Sequence, residues 1–464
     1  MKELHLIGDR SFYKKVLFIT IPIMVQNGIT NFVSLLDNIM VGQVGTEQMS
    51  GVAICNQLIF VFNICVFGAV AGAGILGAQF FGSGNYEGMR YTFRFKFLCG
   101  LALSALFIFG FLAGGDALIG AFLHEGSGVG DLEATLGYGR GYLRIMTVGI
   151  LPFAVAQVYS GTLRETGQTV VPMIGGIVAV VVNLVFNYIL IFGKLGVPAM
   201  GVMGAAVATV LSRYVELAII AVWTHRNSEQ NPFIRGVYRS LHIPASLALR
   251  ILKVGMPLFV NEVMWSGGMA LITQCYSLRG LEVVAAINIS NTIGNVFNVV
   301  FISLGNAVGI IIGQLLGAGE LEQARREDNQ LIAFSVFCCA VTGLVMFLIA
   351  PLFPQIYNTD AGIQDLAASF IRISGLCMPI FGFTNAAYFT LRSGGKTVIT
   401  FLFDSVFMWV VTIPVVFCLS RLTGLYIVWI YLICQLMDLI KCAIGFALVK
   451  KGLWLENIVN EERG

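Results

Sequence analysis

The chain is poor in charge. Only 11% of its 464 residues are Asp, Glu, Lys or Arg, against roughly a quarter in soluble domains. Apolar side chains fill the deficit (57%), and mean hydropathy is +0.85. Such a chain cannot cover a water-facing surface with charge, which excludes a soluble globular protein and identifies an integral membrane protein. Histidine is scarce as well: His5, His124, His225 and His242 all lie outside the long apolar runs. A membrane-embedded enzyme needs clustered His, Asp or Ser groups at depth, so no enzyme is expected. The ten cysteines form no C-x-x-C and no Cys/His cluster, and read as small buried hydrophobes. Phosphate loops, zinc motifs and nucleophile motifs are missing too. No cofactor and no nucleic-acid partner is expected. The opening MKELHLIGDRSFYKK is too polar, and the run after it too long, for a cleaved signal peptide.

Long apolar runs are what the chain has. Twelve are long enough, at about 20 residues, to cross ~30 Å of hydrocarbon as helices. They fall at 16–41, 50–76, 93–118, 136–160, 170–192, 202–223, 254–278, 284–304, 331–353, 366–389, 398–419 and 425–448. The expected fold is therefore an all-α integral membrane protein of 12 transmembrane helices. Basic residues crowd one set of connections: Arg10, Lys14 and Lys15, then Arg90, Arg94 and Lys96, Arg164, and Arg226 to Lys253. Arg325, Arg326, Arg392, Lys396, Lys450 and Lys451 complete that side, against Arg140, Arg144, Lys194, Arg279 and Arg421 opposite. The positive-inside rule places both termini in the cytoplasm of a multi-pass plasma-membrane protein.

The one long polar connection, near 224–253, divides the runs six and six, and the halves repeat. Pro22 and Pro257, Gly45 and Gly280, Glu47 and Glu282, Asn56 and Asn291, and Gln79 and Gln314 share an offset of 235 (257 − 22). LRETGQT from Leu163 returns as LRSGGKT from Leu391, offset 228 (391 − 163). The expected organisation is an N-terminal lobe at 1–224, a cytoplasmic linker at 225–253 and a C-terminal lobe at 254–464. Such repeats are typical of transporters, whose sites lie at or within the repeat units.

A charge at a bilayer centre costs ~2.5–3.5 kcal/mol and survives only facing protein or water, which marks it as a functional candidate. Arg213 and Glu216, and Asp438 and Lys441, are three apart on a helix and can satisfy each other. Three acids lack such a local partner: Asp37, Glu262 and Asp404. Asp37 shares a helix face with Thr30 and Ser34, after a hinge candidate at Pro22. Glu262 lies in NEVMWSGG, with Asn261 beside it and Trp265 able to offer a ring to a cation. Asn183 and Asn187, one turn apart, can aim two amide oxygens at one place, the kind of ligand a hard cation takes. Asn288, Asn291, Asn295 and Asn298 make a stripe that is either interhelical glue or cavity lining.

These features together resemble the multidrug and toxic compound extrusion (MATE) family over essentially the whole chain. The likeness rests on Pro22 followed by Asp37 and Gly42–Gly45, on LRETGQT and LRSGGKT, on NLVFNYILIFGKLGVPAMGVMGAAVAT, and on VGMP and Trp409–Pro414. It implies a V of two pseudo-symmetric six-helix lobes, rocking to exchange H⁺ or Na⁺ for an amphipathic, often cationic, small organic molecule. It also implies an N-lobe ion site at Asp37, Asn183, Asn187 and Thr209. Substrate or coupling residues in the C-lobe are then Asn261, Glu262, Trp265, Asn291, Asn295, Asn385 and Asp404. The chain departs from some relatives in having Asn187 rather than a second carboxylate, and Asn385 rather than an acid in the tenth span. The partners expected are membrane lipids and the substrate, with the protein a monomer. A lipid-linked oligosaccharide flippase of related architecture is the alternative; it would want basic residues at depth, where Arg213 stands beside an acid.

Overall fold

The structure is a computed structural model describing residues 6–121, 131–357 and 359–460. His5 and His124 lie outside these. Among the described residues every long apolar run is helical, as hydrocarbon requires of a backbone that must satisfy its own hydrogen bonds. The helices are α1 (Arg10–Gly42), α2 (Thr46–Gly82), α3 (Tyr86–Gly120), α4 (Leu132–Glu165), α5 (Val170–Phe192) and α6 (Val202–Arg226). They continue as α7 (Ala245–Ser277), α8 (Leu281–Ala318), α9 (Leu321–Ile349), α10 (Ala361–Ser393), α11 (Thr397–Leu422) and α12 (Ile427–Lys451).

Eleven of these are long and apolar enough to span a membrane. The remaining one, α7, has 33 residues but is diluted by Asn261, Glu262, Ser266 and a glycine pair. A helix that polar needs protein or water along one face. Two helices are irregular. In α11, wide π-turns cover Leu402–Val406 and Met408–Thr412, just before Pro414, whose ring cannot fit over a regular preceding turn. In α12, the α-helix is interrupted at Met437, immediately before Asp438.

The repeat is visible in the backbone. Helix α7 begins and ends 235 residues after α1 (245 − 10 and 277 − 42). Gly45 and Gly280 (φ 152° and 123°), and Gly84 and Gly319 (φ 69° and 79°), hold the same left-handed turns at that offset. Where the ends of α2 and α8 meet, the contact is reciprocal. A Cβ on Gly82 would lie 1.9 Å from the Gln314 carbonyl oxygen, and one on Gly317 would lie 1.9 Å from that of Gln79. Both pairs differ by 235.

The chain forms two compact units: Val25–Gly77 with Tyr86–Ile251, and Met1–Met24 with Ala78–Asn85 and Leu252–Gly464. In the first, Val52, Phe62, Phe111, Tyr142 and Ala206 make an apolar core. The 225–253 stretch, expected as a linker, is built into this unit as far as Ile251. Arg94 donates to the carbonyls of Val237 (2.8 Å), Gly236 (3.2 Å) and His242 (3.2 Å). Phe233 is buried, and the Tyr159 hydroxyl meets Tyr238 (2.6 Å) and His225 (2.9 Å). In the second unit Ile311, Leu315, Leu331, Leu391 and Trp454 pack with Phe12, Val16, Ile19 and Ile23 of α1. Lys15 also reaches Glu327 at 3.3 Å. One helix thus serves two cores, changing over two residues after the buried Pro22.

Gly82→Val and Gly317→Val must push the ends of α2 and α8 apart, and each should cost about 1–3 kcal/mol or more. Thermal denaturation in detergent, followed by size-exclusion chromatography, should show the loss. Gly110→Val, where an added carbon meets nothing within 4 Å, should not.

Candidate functional site

The first unit brings together four residues from three helices. Asp37 of α1 is half-buried and accepts a hydrogen bond from Asn187 Nδ2 of α5 at 2.5 Å. One turn earlier on α5, Asn183 has amide atoms within 3.2 Å of Asp37, Asn187 and Thr209 of α6. With its amide turned so that no two acceptors face each other, its NH₂ group donates to both Asp37 oxygens, at 3.0 and 3.2 Å. Its oxygen then accepts from Thr209 Oγ1 at 3.2 Å. Both asparagines are buried, and Asn187 Oδ1 has no hydrogen-bond partner. A buried amide oxygen without a donor costs ~1–3 kcal/mol. The donor set is carboxylate, two amides and a hydroxyl, all hard oxygens of the kind alkali cations take. Thr30 and Ser34 bond their own helix carbonyls instead, at 2.8 and 3.0 Å.

The second unit gathers a charged network on α7, α11 and α12. Here the sequence expectation for Asp404 is corrected: it is not an unpaired acid. Its Oδ1 lies 3.0 Å from Lys441 Nζ and its Oδ2 accepts from Asn261 Nδ2 at 3.2 Å. Lys441 also keeps its expected partner Asp438 at 3.6 Å, so a pair read as self-contained is a three-membered bridge. Asn261, 2% exposed, is locked by Ser405, whose Oγ donates to its side-chain oxygen (2.7 Å) and its carbonyl (2.9 Å). Glu262 is half-buried on the next position of α7, within electrostatic reach of Arg392 and Asp404.

Other expected members stand apart from this network. Trp265 is exposed, as are Asn291 and Asn295 on α8, while Asn298 of the same stripe is half-buried. Asn385 is half-buried, its Oδ1 without a partner and pressed against Gly305, where a Cβ would lie 2.0 Å away. Pro22 lies inside α1, which continues through it.

The chain matches known proteins over most of its length. A family model, MatE, matches residues 22–189 and 257–418, more than half of the chain and beginning at the two repeat prolines. The chain belongs to the MatE family. It is a multi-pass membrane transporter, not an enzyme. A Thermotoga maritima protein named "Probable multidrug resistance protein NorM" is 26% identical over 431 residues, covering 91% of this chain and 89% of that one. A Bacillus subtilis protein named "Probable multidrug resistance protein YoeA" is 24% identical over 431 residues, 90% of each chain. The fold matches a crystal structure of MATE in complex with MaL6 at a TM-score of 0.84 and 19% identity, covering 97% of this chain and 98% of that one. It also matches the outward-facing conformation of a multidrug resistance MATE family transporter, at a TM-score of 0.83, 20% identity and the same coverage.

One feature of this MatE chain escapes sequence reading. Lys96, counted as a flanking cytoplasmic charge, is fully buried on α3. Its ammonium donates to Thr162 Oγ1 and to both oxygens of Glu165, each at 2.8 Å. Glycines make room for the acid: a Cβ on Gly77 would lie 2.1 Å from Glu165 Oε2, and one on Gly74 2.9 Å from Oε1. The signal was present in LRETGQT, whose repeat LRSGGKT has Ser393 in place of the acid. Lys96→Met strands a buried carboxylate and should cost about 3–5 kcal/mol. Lys96→Met with Glu165→Leu should recover most of it in a thermal-melt double-mutant cycle.

Proposed function

We propose that the chain is a bacterial inner-membrane multidrug exporter. It exchanges H⁺ or Na⁺ for an amphipathic, cationic organic molecule by alternating access. It would act as a monomer among membrane lipids, with both termini cytoplasmic and two lobes, at 1–224 and 254–464, related by an axis along the membrane normal and rocking between inward- and outward-open states. The observation that carries this reading is the Asp37, Asn183, Asn187 and Thr209 cluster with its partnerless amide oxygen. The names of the curated relatives support its multidrug-export part.

The cluster supports a simple coupling step. With Asp37 ionised, its hydrogen bonds to two amides are charge-assisted and hold α1 against α5. A proton or Na⁺ neutralises the carboxylate, and rotating the Asn187 amide would supply Na⁺ with its free oxygen. Charge-assisted bonds of ~1.5–3 kcal/mol then fall towards ~0.5–1.5 kcal/mol. Because α1 packs into both cores, loosening it beyond Pro22 can be felt in the other unit. There Glu262, Asp404 and Asp438 supply negative charge for a cation. The flippase alternative is disfavoured, since Lys96, Arg213 and Lys441 each lie beside an acid rather than free to grip a pyrophosphate.

Efflux of ethidium from whole cells or inverted vesicles tests the reading. Wild type should export, Asp37→Asn should lose at least tenfold in rate, and the ionophore that abolishes export names the coupling ion. Export untouched by Asp37→Asn would make the cluster structural. No dye movement at all would sink the drug-export assignment.

A further inference from the structure

Lys441 sits where a positively charged substrate would be expected to sit. Its side chain is 9% exposed, and its ammonium lies 3.0 Å from Asp404, 3.6 Å from Asp438 and 5.6 Å from the centre of the Phe407 ring. Anion plus aromatic face is the chemistry that recognises organic cations. Resting on the cation-export reading above, we propose that Lys441 is a tethered stand-in for the substrate. It occupies Asp404 when no organic cation is bound and retreats to Asp438 when one arrives.

Three features separate this from an ordinary structural ion pair. The first is that Asp404 does not need Lys441 to stay in place. Its second oxygen is held by Asn261, and Asn261 is locked by Ser405, the residue next to Asp404 itself. Removing the ammonium therefore leaves a positioned carboxylate. The second is that Lys441 does not need Asp404 to stay charged. Asp438 lies three residues earlier on the same helix, so the ammonium keeps an acid partner wherever the substrate sits. A lysine with a single buried partner would be stranded by competition as an unpaired buried charge. The third is access: the side chains of Asp404 and Asp438 are 23% and 26% exposed, whereas Lys441 is nearly enclosed between them.

Binding of the cation also balances the local charge. Lys441 and the arriving cation share two carboxylates, so the bound state has two positive and two negative groups where the empty state is one positive charge short. An anionic or neutral molecule gains nothing from displacing Lys441. The lysine thus sets a threshold: only a cation that binds Asp404 better than the tethered ammonium does is admitted, which favours weakly hydrated, aromatic cations over small hydrated ones.

The test is binding of tetraphenylphosphonium to the purified full chain in detergent, with fold checked by thermal melting. Lys441→Met removes the competitor and should tighten binding at least tenfold. Asp438→Asn removes the retreat partner, confines Lys441 to Asp404, and should weaken binding at least fivefold although Asp438 is not the substrate's partner. Asp404→Asn should abolish both effects. A structural ion pair predicts no change, or equal weakening, in Lys441→Met and Asp438→Asn, and either result overturns the proposal. If Lys441→Met fails to fold, Asp438→Asn decides alone, since unchanged binding there excludes a retreat partner. If tetraphenylphosphonium binds to neither wild type nor any variant, the cation-export reading falls, and the stand-in role with it.

Discussion

A charge buried among helices must have a partner, and much of this structure is arranged around that requirement. In low dielectric an unpaired ion costs several kcal/mol, more than any single helix contact returns. Lys96 is therefore wrapped by Glu165 and Thr162, and α2 places glycines at 74 and 77 where any side chain would collide with that acid. Arg213 stays near Glu216 at 3.7 Å, and Lys441 bridges two acids. Asp37 is different in kind. Its hydrogen bonds come from neutral amides, which stabilise a carboxylate without cancelling its charge. Unlike Glu165 and Glu216, which each have a basic side chain beside them, it is left with a charge that something mobile can neutralise.

The repeat supplies the frame in which these sites differ. Helix ends, turn glycines and the crossing of α2 with α8 recur at an offset of 235, because close backbone approach tolerates only glycine at Gly82 and Gly317. The chemistry placed on the frame does not recur. The first unit has Lys96 with Glu165, while in the second Asp328 is buried on α9 and accepts from Thr390 at 2.5 Å. Thr390 is the repeat equivalent of Thr162 (390 − 162 is 228). Duplicated scaffolds can keep their packing and diverge in charge, since packing depends on backbone path and charge on a few side chains.

The fold was largely legible. Hydropathy located the helices and the internal offset located the halves, since both signals are carried by neighbouring residues. Part of the site was legible as well. Asp37 stood out by lacking a local partner, and Asn183 and Asn187 by their one-turn spacing, whereas Thr209 came only through family resemblance. Asp404 was misread because Lys441 lies 37 residues away on another helix, beyond any spacing rule. Lys96 was misread because counting charges along a loop says nothing of depth.

The sequence by itself determined that this is a helical, twice-repeated membrane transporter. Apolar length, helical hydrogen bonding and repeated glycines act over a few residues and leave little choice of local structure. Only the tertiary structure decided which charges are neutralised and which stay available. Pairing depends on ångström distances between helices far apart in the chain, and in a low dielectric those distances separate a structural bridge from a site that can bind and release.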